Sequence, residues 1–265
     1  MADFYRPDTL EQALSLLERH GDRAVIVNGG SDIVIEISQK RIHPDAIVSI
    51  GGIAELKTIE ERDGFLCFGG SVTYREILNS SLCKPYKGLI QAVSCIGSPA
   101  IRAVGTPAGN IVTGAPAADC ATMLAALGAQ PVWVQDRILT EIRIPALKSG
   151  EGTGYFRVSR RKAQDIGKVL VGSRVRLEGG VIAEAAISLG AVNAKIARAE
   201  SLEKVLPGKT PAEALGYLKR TFPEEAGLRE SYFKEYKQQV VPAVVAKSFG
   251  LALEDAAERS GAWHW

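Results

Sequence analysis

The chain has 265 residues, 46% of them hydrophobic and 23% charged, with 32 Lys and Arg against 30 Asp and Glu for a net charge of +2. That is one large domain or two ordinary ones with ample core, and the interspersed charges leave no basic block for a nucleic acid. Four scattered cysteines (Cys67, Cys83, Cys95, Cys120) and three histidines (His20, His43, His264) include no Cys-x-x-Cys pair and no ligand cluster. The reading is reduced thiols in a cytoplasm, with no metal site and no Ser-His-Asp machinery on this chain. No apolar run nears the roughly 20 residues of a spanning helix, and the start lacks the pattern of a signal peptide.

In chain order, Thr9 and Gln12 have capping-box spacing, and Leu10, Ala13, Leu14 and Leu17 fall on one helical face, with Gly21 placed as a C-cap. Ala24 to Val27 reads as a buried strand running into Asn28-Gly29-Gly30-Ser31-Asp32. The following IVIEI fits helix or strand equally, and a strand at Ala46 to Ile50 comes next. FLCFGG predicts a strand ending at Gly69-Gly70, with a helix start between Ser71 and Arg75. From Ile96 to Pro116, Gly, Pro and Thr interrupt every regular period, which marks a long irregular and functional segment. A helix over Cys120 to Leu127, led by Asp119, and a strand at Pro131 to Val134 follow.

Ile142 to Gly154 is the expected boundary, giving domains over 1–148 and 153–265. Beyond it, two long strands flank Glu178-Gly179-Gly180 as a hairpin. A helix over Ala199 to Leu206, another capped by Thr210 with Pro211 and Glu213, and a helical tail from Ser231 to Ala257 that Pro242 kinks or splits complete the chain.

Two loops carry the chemistry. Glycines in Gly29-Gly30-Ser31-Asp32 let backbone amides approach an anion, with Ser31 as a hydroxyl donor. Asp32 would repel a phosphate, so it is expected to cap amides or accept from a ribose hydroxyl. The plain alternative is a tight turn. Gly105 to Thr113 is a second small-residue loop, with the alternative that Asn110 and the threonines only satisfy backbone groups. Two such loops could clamp a dinucleotide from both ends.

Four segments in order, VNGGSDIVIEI (27–37), CIGSPAIRAVGTPAGNIVTGAPAADCATMLAALGA (95–129), LTEIRIP (139–145) and YFRVSRRKAQDIGKV (155–169), resemble the FAD-binding medium subunit of molybdenum hydroxylases, the xanthine dehydrogenase and aerobic carbon monoxide dehydrogenase family. The resemblance implies an α+β fold: a PCMH-type FAD-binding domain of two subdomains, then a C-terminal domain with a three-stranded antiparallel sheet and helices. It implies that Val27, Asn28, Gly29, Gly30, Ser31, Asp32 and Ile33 wrap the FAD pyrophosphate, and that Thr106, Gly109, Asn110, Val112 and Thr113 form the second phosphate and ribose loop. Ile101, Gly105 and Leu139 match positions approaching the isoalloxazine. Asp119 matches a carboxylate near the cofactor, and Arg157 a cation near the ring or its acceptor, whereas Arg161 and Asp165 read as a structural ion pair.

The implied function is an electron-transfer subunit taking electrons from 2Fe-2S clusters on a small partner, after hydroxylation at a molybdenum cofactor on a large partner, and passing them through FAD to NAD or another acceptor. The alternatives are a stand-alone flavin oxidoreductase of the same fold, and a structural subunit that has lost flavin. The family's Thr-Ile-Gly-Gly-Asn reads Thr106-Pro107-Ala108-Gly109-Asn110, so Pro107 removes an amide donor and Ala108 adds a methyl, and the family's preceding Arg-Asn reads Arg102-Ala103. Relatives also have a longer connection where Gln135-Asp136-Arg137 alone joins Val134 to Ile138, which is either a tight hairpin or a missing loop.

Overall fold

A computed structural model describes residues 2–161, 164–228 and 233–260. The first unit is a parallel three-stranded sheet in the order β1 (Asp3–Tyr5), β3 (Ala46–Ser49), β2 (Ala24–Val27). Helix α1 (Leu10–His20) covers it, N-capped by Thr9 and closed by Gly21 at φ 56°, as the apolar spacing predicts. Its Ala13 and Leu17 pack on Val48, Ile50, Ile53, Leu56 and Ile138 as a small core. The ambiguous IVIEI segment is helical: α2 spans Ile33–Ser38.

The second unit is an antiparallel sheet in the order β4 (Ile59–Arg62), β5 (Phe65–Gly69), β7 (Ile138–Pro145), β6 (Gln130–Val134). The helices α3 (Tyr74–Asn79), α4 (Lys87–Ser94) and α7 (Asp119–Leu127) accompany it. Thr73 starts α3 with a full capping box. The segment expected to be irregular forms two short helices, α5 (Pro99–Arg102) and α6 (Pro107–Thr113). The prolines that interrupt the apolar period start these helices: each occupies the first turn, behind Ser98 or Thr106 as N-cap. Gly114, at φ 64°, ends α6. The β6–β7 connection is the three residues Gln135-Asp136-Arg137, with Gln135 and Asp136 at φ 50° and 53° and Arg137 N–H on the Val134 carbonyl at 3.0 Å.

The third unit is an antiparallel sheet of β8 (Glu151–Val158), β9 (Val169–Glu178) and β10 (Val181–Gly190), extended beyond the expected three strands by the two-residue edge strand β11 (Ala197–Arg198). Gly179 and Gly180, both at positive φ, make the β9–β10 turn. The helix expected over Ala199 to Leu206 contracts to α8 (Glu200–Glu203). Helix α9 (Pro211–Leu218) carries the predicted Thr210 capping box. Helix α10 (Lys234–Ser260) runs through Pro242 without splitting, while Ser231 of the predicted tail lies outside the described residues. Arg161 and Asp165 pair at 3.8 Å, as read from sequence.

Glycines let α10 lie directly on β8: a Cβ at Gly154 would stand 2.4 Å from the Ser248 carbonyl oxygen, and one at Gly152 2.2 Å from that of Ala252. The second and third units are also continuous, because Tyr155 and Leu170 sit in the core built by Leu66, Phe68, Leu89 and Met123. Hydrogen bonds reinforce this seam, from Gly88 N–H to Thr153 Oγ1 at 2.9 Å and from Tyr155 N–H to Gln91 Oε1 at 2.8 Å.

Candidate functional site

A cavity of about 560 Å³ opens between the first and second units, within the range of small-molecule sites. One wall is Asn28 to Ile33, where β2 turns into α2, and the other is α6 with its approach. The amides of residues 29–33 donate to no protein acceptor among the described residues. The chain there is committed neither to the sheet nor to the helix ladder, so five consecutive N–H groups remain for a ligand, on residues that are half-buried except for the exposed Asp32. Gly29 permits the closure. A Cβ on it would fall 1.9 Å from the Val104 carbonyl oxygen, so only glycine lets the loops touch.

The two loops are tied to each other. Thr113 Oγ1 donates to Asp32 Oδ2 at 3.3 Å, and Asp32, at the N-cap position of α2, makes no side-chain cap bond. Thr106 Oγ1 accepts from Gly109 N–H at 3.0 Å, and Asn110 Oδ1 accepts from Ala121 N–H at 3.1 Å, fixing α6 against α7. Because Pro107 is the first residue of α6, the amide it lacks is one that a helix start leaves unpaired. Ala108 lies in the cavity wall.

Of the residues singled out from sequence, Asn28, Gly29, Gly30, Ser31, Asp32, Ile33, Ile101, Thr106, Gly109, Asn110, Val112, Thr113 and Leu139 line this one cavity. Four do not. Val27 closes β2, and its carbonyl accepts from Ile50 N–H at 2.9 Å. Gly105 backs the loop, its carbonyl taking Tyr74 N–H at 3.0 Å. Asp119 and Arg157 are turned toward each other: Arg157 Nη1 stands 3.0 Å from Asp119 Oδ1, and Tyr155 O–H donates to the same oxygen at 2.7 Å. The pair sits between α7 and β8, with Arg157 Nη2 buried and without a hydrogen-bond partner among the described residues. Burial pushes the Asp119 carboxyl above its ordinary range despite these donors, and burial next to Asp119 lifts the Tyr155 hydroxyl well above its own.

Ile26, Glu36, Ile50, Tyr74, Ile96, Arg137 and Ile138 complete the lining and were not found from sequence. Glu36 is held by Arg41 through two bonds of 2.6 and 2.7 Å, whose donors lower its pKa. Arg137, placed by the tight β6–β7 turn, has no carboxylate partner among the described residues. No group of three or more His, Cys, Asp or Glu among the described residues could hold a metal, and no described helix is long and apolar enough to cross a membrane.

Residues 1–154 match the family described as FAD binding domain in molybdopterin dehydrogenase, and residues 154–250 match the CO dehydrogenase flavoprotein C-terminal domain. The nicotinate dehydrogenase FAD-subunit of Eubacterium barkeri is 27% identical across 93% of this chain and 94% of its own length. The carbon monoxide dehydrogenase medium chain of Afipia carboxidovorans is 26% identical across 78% of this chain and 80% of its own. A solved carbon monoxide dehydrogenase from Hydrogenophaga pseudoflava shares the fold, with a TM-score of 0.85 and 21% identity over 96% of this chain and 98% of that chain. With a cavity built between the amide row at residues 29–33 and α6, and with the two matches together spanning residues 1–250, this chain belongs to the family of FAD-binding flavoprotein subunits of molybdopterin dehydrogenases.

Proposed function

We propose that the chain is the electron-transfer flavoprotein of a cytoplasmic molybdenum hydroxylase complex. It would stand between 2Fe-2S clusters on a small partner and a final acceptor, NAD or another, with the molybdenum cofactor on a large partner. The observation that carries this reading is the row of unpaired amides at residues 29–33, facing a cavity whose opposite wall is a Thr-capped helix. Successive N–H groups at such a turn favour a pyrophosphate, and the apolar lining from Ile26, Ile50, Ile101 and Leu139 suits aromatic rings.

The residues present thus fit a flavin dinucleotide: Asn28 to Ile33 and Thr106 to Thr113 would hold it, with Ile101 and Leu139 beside its rings. When bound, FAD supplies the redox chemistry. The chain binds and orients it, keeps water from it with the apolar lining, and sets the field around it through Asp32, Glu36 and Arg137. Asp119 and Arg157 would act from behind the cavity by fixing α7 against β8. The relatives named as medium chains and FAD-subunits support a place in a multi-subunit enzyme. Four free thiols, three of them buried, suit a reducing compartment.

The test is to purify the chain alone and co-expressed with its genomic partners, record the visible spectrum, and identify the released cofactor. Stoichiometric FAD in either preparation is expected. Absence of flavin under every condition would sink the proposal, and substrate oxidation by the chain alone would replace it with a self-sufficient oxidase.

A further inference from the structure

Behind the flavin cavity lies a second one of about 530 Å³. Asn28 and Gly29 line both, so the Gly29–Val104 contact is the partition between them. This second cavity stands at the carboxyl ends of all three parallel strands of the first unit. Arg6, Pro7 and Asp8 follow β1, Ser49, Gly51 and Gly52 end and follow β3, and Asn28 and Gly29 follow β2. The crevice outside the carboxyl ends of parallel strands is where open α/β sheets take their ligands.

Its lining is cationic and rich in unused donors. Arg6, Lys57 and Arg75 face it, and none has a carboxylate partner among the described residues. The amides of Gly51 and Gly52 donate to no protein acceptor among the described residues. Of the two acids present, Glu76 is occupied by its capping box, accepting from Thr73 N–H at 2.7 Å and Thr73 Oγ1 at 2.6 Å. The Asp8 carboxylate has no partner among the described residues. Three cations without a carboxylate partner, Arg6 among them with its guanidinium 5.4 Å from the Phe4 ring centroid, suit phosphate oxygens together with two glycine amides. A free carboxylate beside them suits a ribose diol, as it does in dinucleotide sites.

We propose that this cavity binds a nucleoside diphosphate group distinct from the flavin, with Arg6, Lys57, Arg75 and the Gly51-Gly52 amides on the phosphates and Asp8 on the ribose. The inference rests on the first cavity being the flavin's. It puts a nucleotide ligand, acceptor or effector, against the back of the loop that holds the cofactor.

The experiment titrates the FAD-loaded full chain with ADP by calorimetry, with inorganic pyrophosphate as a second probe. One ADP per chain is expected, without release of flavin and tighter than pyrophosphate. The double variant Lys57→Ala/Arg75→Ala should weaken ADP at least tenfold. So should Gly52→Asp, because a Cβ at Gly52 meets nothing within 4 Å and the new carboxylate enters without a clash. Both variants should retain the FAD content of the parent, which separates a lost site from a lost fold. No ADP binding, binding indifferent to these substitutions, displacement of flavin by ADP, or pyrophosphate binding as tightly as ADP would each overturn the inference. A chain that takes up no FAD fails the flavin reading instead. The same titration on the flavin-free chain then decides this one, with ADP binding indifferent to Lys57, Arg75 and Gly52 as the overturning result.

Discussion

Asp119 sits at the first turn of α7 with its carboxylate shared between Tyr155 O–H and Arg157, in a pocket that leaves the arginine side chain 6% exposed. A buried pair of this kind is costly to break from one side, because the remaining charge loses its partner. Arg157→Met is therefore expected to lower unfolding free energy by about 3 kcal/mol, read from urea denaturation at constant m-value. The pH dependence has a definite sign. The fold raises the Asp119 pKa, so the native state holds its proton to higher pH than the unfolded chain does. Stability from this group is fully present below the ordinary Asp value and declines as pH rises past it. Without Arg157 the decline should be steeper and extend to higher pH. A variant within 0.5 kcal/mol of the parent (roughly the scatter of an innocuous surface change), with an unchanged pH profile, would refute the account.

Arg137 is the one cation among the described residues lining the proposed flavin cavity, which also carries Asp32 and a Glu36 already paired with Arg41. Arg137→Ala is expected to weaken FAD by about tenfold, roughly 1.4 kcal/mol, and to flatten the salt dependence of binding. Riboflavin, which has no phosphate, should be unaffected, and equal losses for FAD and riboflavin would count against a phosphate contact. Fluorescence quenching measures both. Gly29 and Thr106 were legible in the sequence because their chemistry is local: a glycine turn after a strand, and a hydroxyl before Pro. Arg137 and Tyr74 were not, since each reaches the cavity only through pairing or packing with distant segments.

At the scale of elements, the β6–β7 turn sets two non-glycine residues, Gln135 and Asp136, in left-handed conformation. The turn closed by Arg137 N–H on the Val134 carbonyl holds both central residues at positive φ, a geometry that Asn-Gly meets with far less strain. Gln135→Asn/Asp136→Gly should therefore raise stability by about 1 kcal/mol, with FAD affinity unchanged because Arg137 keeps its place. Thermal melting and flavin titration together check it, and destabilisation would mean that these side chains hold contacts beyond the turn. The same elements show why the stretch from Ile96 to Pro116 misled a reading by period. Helices of four and seven residues are too short to repeat an apolar face, so only their caps and first-turn prolines betray them. The long strands β9 and β10 pair across Gly179-Gly180 as their pattern demanded. The edge strand β11 has two residues and no pattern to read.

Across the whole molecule, the second and third units share one core through Tyr155 and Leu170, whereas among the described residues the small core of the first unit takes only Ile138 from the second unit's strands. The first unit also supplies one wall of the proposed flavin cavity. A ligand spanning that seam must stabilise the weaker side most. Saturation at a hundredfold excess over Kd adds about 2.7 kcal/mol to the state that binds. If the first unit opens alone in the flavin-free chain, that gain falls on β1, β2 and β3 and on the amides of residues 29–33, while β9 and β10 keep the protection they had. Hydrogen exchange with and without FAD distinguishes the cases: a rise confined to the first unit and the α6 wall is expected. A uniform rise across all three sheets would instead make the chain one cooperative unit, with the cofactor closing no seam of its own.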